Sequence, residues 1–202
     1  AWVGVSAQHI GIEGGPVAVG VEGTEGLAGQ GLKAIDEERY GTLSHPGDAY
    51  SYDIYTQVAR ALREPGQAAM GGLEPARILA VGESQSAFAL TTYVNGVQPL
   101  TRQFDGFLVH SRGGAAAPLG EPGTGIDMTA TIVGAPTRLR TDGDVPILVL
   151  QTEGDLLSVL GYHAASQPDE ELLRVWEVAG AAHADRHLVG PLADQLDCGV
   201  PI

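Results

Sequence analysis

The sequence predicts an α/β protein, a mostly parallel sheet flanked by helices, forming a single domain over residues 1–202. Three observations predict this class. Short aliphatic runs such as ILAV and PILVL alternate along the chain with stretches of helical periodicity. Those runs are continuous rather than alternately apolar and polar, the pattern of strands covered on both faces. With 202 residues, 44% of them hydrophobic, the chain can bury one good core, and nothing suggests a second.

AWVGVSAQ is apolar and reads as a central parallel strand, with Trp2 in the core. A Gly-rich stretch runs to Gly31, and YGTLSHPGD carries turn signals. SYDIYTQVARAL, residues 51–62, has helical spacing behind a serine cap, with Tyr50, Tyr52 and Tyr55 as packing residues. A Pro- and Gly-rich loop over residues 65–75 leads to a second strand at 77–81 and a helix at 87–94. FDGFLVHS, residues 104–111, is a third strand. Residues 112–144 lack periodicity and are expected to form a loop or lid excursion over the sheet. Strands follow at 146–151 and 172–178, the latter placing Trp176 in the core, with helices at 156–165 and 185–196.

A net charge of -14, from 25 acidic and 11 basic residues, opposes binding to phosphate backbones and anionic membranes. Nucleic acid and membrane are therefore not expected partners, and a neutral small molecule fits better. No apolar run approaches the ~20 residues that span a bilayer, so a soluble protein is expected, with cytoplasmic and secreted locations both open. The lone Cys198 can form no internal disulfide and reads as a buried thiol.

In an open parallel sheet, functional side chains gather at the carboxyl ends of the strands. Ser84, Asp155 and His183 each follow such an end, in the chain order of the α/β-hydrolase triad. Ser84 lies in GESQS, a strand-to-helix turn of the nucleophile-elbow type. Gly82 and Ser86 stand where strand and helix backbones crowd, and the Gln85 amide is the candidate oxyanion donor. Glu153 is the alternative acid, though Asp155 stands at the far end of its turn, better placed to reach the histidine. Glu83, Gln8 and His110 are candidate pocket residues, as are His9, Ser111 and Arg112 more weakly.

The blocks RYGTLSHPGDAYSYDIYTQVARAL, VGESQSAFALTTYVNGV, FDGFLVHSR, VPILVLQTEGD and RVWEVAGAAHAD together resemble bacterial alpha/beta hydrolase domain proteins over nearly the whole chain. The resemblance implies a serine hydrolase of esterase type, with Ser84 as its nucleophile, Asp155 as its acid and His183 as its base. It also implies a chain lacking both ends, covering about strands four to eight of the fold, with the second oxyanion donor in a loop ahead of residue 1. Amide or thioester cleavage on the same triad, and a catalytically inactive binding module, stay open. No cofactor is implied. A metal pair at His183 and His187 would need a helix, whereas His183 lies in a loop and no third ligand is evident. His45 reads as a turn residue, and the oligomeric state is open.

Overall fold

The computed structural model describes residues 1–17, 29–66 and 70–184. Among them β1 (Leu79–Glu83), β2 (Gly106–His110), β3 (Ile147–Thr152) and β4 (Leu173–Val178) form one sheet in that order. All neighbouring pairs are parallel. Ala80, Phe107, Ile147 and Leu173 stand side by side in the register, and all four are buried.

The helices are α1 (His9–Glu13), α2 (Leu32–Ile35), α3 (Glu37–Tyr40), α4 (Ser51–Arg63), α5 (Gln85–Thr92), α6 (Gln98–Thr101), α7 (Met128–Ile132) and α8 (Glu153–Leu157). Tyr52 and Ala59 of α4 and Ala87 and Leu90 of α5 join the buried strand row in one apolar cluster. Rings of Tyr93, Phe104 and Phe107 fill its centre, the Phe104 centroid lying 5.4 Å from Tyr93 and 5.8 Å from Phe107. Tyr52 and Tyr55 pack here, whereas Tyr50 is exposed.

Several expectations are corrected. Residues 1–7 form no strand; the Ala7 N–H bonds to Val5 C=O at 2.9 Å rather than to a neighbouring strand, and a cavity separates the segment from β1. Trp2 is accordingly 76% exposed. The sheet is well covered on one face only among the described residues. Val81, Leu108 and Leu148, on the opposite face, are half-buried, and Trp176 on edge strand β4 is 61% exposed. The predicted helix at 156–165 divides into α8 and a 3-10 turn, Tyr162–Ala165, because Gly161 adopts a left-handed conformation at φ 54°. Ser51 does not cap α4 but is its first residue, and its hydroxyl donates to Asp48 Oδ1 at 2.8 Å. The predicted helix at 185–196, with His187, and Cys198 lie outside the described residues.

The excursion at 112–144 is packed against α5. Ala115, Ala117 and Met128 form a second apolar cluster with Phe88 and Leu160. Gly113 makes this approach feasible, since a Cβ there would meet the Phe88 ring at 2.2 Å. Arg112 is fully buried and does not face the site. Its guanidinium donates to the carbonyls of Gly113 (3.0 Å), Gly114 (3.2 Å) and Thr137, and lies 5.5 Å from the Tyr162 ring centroid. Burial pulls its pKa down to about 10, so it stays protonated at neutral pH and ties both ends of the excursion together.

Candidate active site

Ser84 follows β1 and stands at the N-cap of α5 with φ 51° and ψ -119°, a conformation costly for any residue but glycine. Two features hold it there. Its N–H donates to His110 C=O at 3.1 Å, and its own C=O accepts from Ala87 and Phe88 at 2.9 and 3.2 Å. The strand and helix meet so closely that a Cβ on Gly82 would lie 2.7 Å from Ser86 O. Crowding therefore falls on Gly82, and Ser86 contributes to it with its backbone. The Ser86 side chain is exposed, contrary to expectation, and its Oγ lies 3.5 Å from Gln8 Oε1.

Ser84 Oγ lies 3.0 Å from His183 Nε2, and His183 Nδ1 lies 2.6 Å from Asp155 Oδ1. A fully buried Asp155 keeps its carboxylate turned toward the histidine through Oδ2, which accepts the Thr152 N–H at 2.7 Å. Gln151, also fully buried, fits with its amide nitrogen 3.1 Å from Oδ2 and 3.3 Å from Arg112 C=O. Glu153 instead accepts the Gly180 N–H at 2.7 Å and is exposed, so of the two acids Asp155 is the histidine's partner.

Burial, the largest influence on Asp155, raises its pKa, but the bonds from His183 and the Thr152 amide outweigh it and hold the carboxyl below its usual range. The hydroxyls of Thr152 and Ser111 reinforce this from nearby without meeting hydrogen-bond geometry. For His183 the Asp155 bond raises the pKa, burial opposes it, and the charges of Asp155 and Glu83 add to the rise. With Asp155 ionised, Nδ1 carries the proton and Nε2 is left as acceptor toward Ser84.

A cavity of about 460 Å³ opens beside Ser84 and His183, bounded by Gln85 at the start of α5 and by Phe88, Met128, Ile132 and Leu160. As the first residue of α5, Gln85 points an amide not used within the helix toward this end. Glu83 and His110 stand apart from this cavity, 3.8 Å from each other between Oε1 and Nδ1. Gln8 lines a different cavity, of about 390 Å³, with Ser86 and Tyr52, and that one holds neither Ser84 nor His183. His9 serves through its backbone, donating to Asp48 Oδ1 at 2.7 Å. His45 is buried in a turn, Nδ1 accepting from Gly47 N–H at 3.1 Å and Nε2 donating to Ala7 C=O at 2.9 Å. Among the described residues no group of three His, Cys, Asp or Glu is placed to hold a metal.

Two residues with clear roles here were not singled out from the sequence. Gln151 is detectable in principle, as a polar side chain closing an otherwise apolar strand. Asp48, in the HPGD turn, is buried and accepts from His9 N–H, Ser51 Oγ and Ile126 N–H, the last at 2.8 Å. It thereby joins α1, α4 and the excursion, a role that no local pattern announces.

The sequence profile of the alpha/beta hydrolase domain family matches residues 1–199, and the chain belongs to that family. Membership points to hydrolysis as the class of activity. No curated protein and no solved structure gives a significant match. No helix among the described residues is long and apolar enough to cross a membrane.

Proposed function

We propose that the protein is a serine hydrolase that cleaves carboxylic esters through an acyl-serine intermediate. The observation that carries this reading is the hydrogen-bonded line from Asp155 through His183 to Ser84, with Ser84 on a strained turn at a helix N-terminus. Ser84 Oγ attacks the ester carbonyl as His183 Nε2 takes its proton. Negative charge gathers on the carbonyl oxygen, facing the Gln85 amide, while Asp155 stabilises the imidazolium. The carbon–oxygen bond to the alcohol breaks, and the alcohol leaves with the proton from Nε2. Water, deprotonated by the same nitrogen, then releases the acid and regenerates Ser84.

The acidic surface supports a neutral substrate, and the charge of Glu83, felt at His183, adds to it. The test is p-nitrophenyl ester hydrolysis by the wild type, Ser84→Ala and His183→Ala. A pre-steady-state burst in the wild type and its loss in Ser84→Ala are expected. Undiminished turnover in a folded Ser84→Ala protein would contradict the proposal.

A further inference from the structure

Resting on that reading of Ser84 and His183, we infer that the adjoining cavity is an acyl site for uncharged, medium-length aliphatic chains. The walls decide the chemistry. Phe88, Met128 and Leu160 are buried apolar side chains, and Ile10, Ile132 and Val159 extend the same surface. Apart from His183, no ionisable side chain lines it among the described residues. The buried Arg112 does not line it, its guanidinium being spent on the carbonyls of Gly113, Gly114 and Thr137.

The reaction geometry decides which part of the ester enters. In the tetrahedral intermediate the oxyanion faces the Gln85 amide, and the alcohol oxygen must face His183 Nε2 to receive its proton. The acyl chain takes the remaining direction, where the wall is mostly apolar and its polar side chains beyond the catalytic turn and His183, Gln30 and Ser158, are uncharged. At about 460 Å³ the space lies toward the small end of the ~300–1,000 Å³ range of ligand pockets, which favours a chain of moderate length over a long lipid tail.

The experiment measures kcat/KM for p-nitrophenyl esters from acetate to decanoate, and for acetate esters of alcohols of increasing length. Each methylene the pocket buries should raise the acyl series about fourfold, to a maximum near hexanoate, with little slope in the alcohol series. A hemisuccinate ester, similar in length but anionic, should react about tenfold or more slowly than the butyrate. Ile132→Trp and Val159→Trp fill the cavity and should shift the optimum to shorter chains. Val159 is exposed, so its variant should keep the wild-type melt.

Fluorophosphonate labelling of Ser84 in the same proteins separates two failures. No labelling of folded protein overturns the serine-hydrolase reading and this one with it. A labelled Ser84 with a flat acyl series, a slope in the alcohol series alone, or an unchanged optimum in both tryptophan variants overturns only the acyl site.

Discussion

Replacing Asp155 by asparagine changes a charge and almost nothing in shape, and the surroundings dictate how the amide must sit. Oδ2 accepts the Thr152 N–H at 2.7 Å and faces the Gln151 amide nitrogen at 3.1 Å, so the new oxygen must take that position. The new NH₂ then points at His183 Nδ1, 2.6 Å away in the wild type, and donates to it. His183 must accept there and carry its proton on Nε2, aimed at Ser84 Oγ, where it can no longer take the serine's proton. Loss of the correct tautomer in a triad of this kind costs about 10⁴-fold in kcat, or about 5 kcal/mol of transition-state stabilisation. The assay is kcat on a p-nitrophenyl ester, with circular dichroism and a thermal melt to establish folding. Glu153→Gln is the comparison, and a loss within about threefold is expected because Glu153 holds Gly180 rather than His183. A folded Asp155→Asn protein within tenfold of wild type, or a larger loss in Glu153→Gln, would refute the reasoning.

Further expectations concern strain, support and pH. Ser84→Gly removes the positive-φ cost and should stabilise the fold by about 1 kcal/mol, raising Tm by roughly 2–4 °C in a thermal melt while abolishing ester cleavage. A lower Tm would mean that Ser84 is not strained. Gln151→Leu removes a donor to the Asp155 carboxylate and should lower kcat/KM about 10- to 100-fold, with labelling of Ser84 slowed in proportion. Unchanged labelling would leave Gln151 a purely structural residue. Because His183 must be neutral to act as base and its pKa is raised, kcat/KM in the wild type should climb with pH through a value above about 6.5. The His183 contribution to stability has the opposite sense, being complete below about 6.5 and lost as pH rises through the raised value. An acid limb at or below 6.5 would contradict the coupling to Asp155.

The four strands that carry the site were legible because each is a short aliphatic run closed by polar or turn residues, as in LAVGE before Ser84 and ILVLQT before Asp155. AWVGVSAQ has the same composition yet forms no strand, because an apolar run does not state which backbone it will pair with. Trp176 shows the same limit one level up. Its strand is correct, but its face decides its exposure. Trp176 pairs with Leu150 on the face that the described residues leave poorly covered, whereas Leu173 of the same strand is on the other face and buried, and which face is covered is a property of the whole fold. Ser84, Asp155 and His183 could be picked out by their place after strands, and the far-end position in Thr-Glu-Gly-Asp already favours Asp155 over Glu153; the structure adds that Glu153 turns to the Gly180 amide instead. From the sequence, Arg112 is a weak candidate pocket residue at a strand end. Its burial depends on three carbonyls converging from Gly113, Gly114 and Thr137, which no local pattern encodes.

The most direct measurement is fluorophosphonate labelling of the wild type and of His183→Ala, with mass spectrometry of the peptide bearing Ser84. An adduct on Ser84 in the wild type that is lost in a folded His183→Ala protein is the result expected of a serine activated by that histidine. An unlabelled Ser84 in wild-type protein that melts cooperatively, or labelling indifferent to His183, would contradict it.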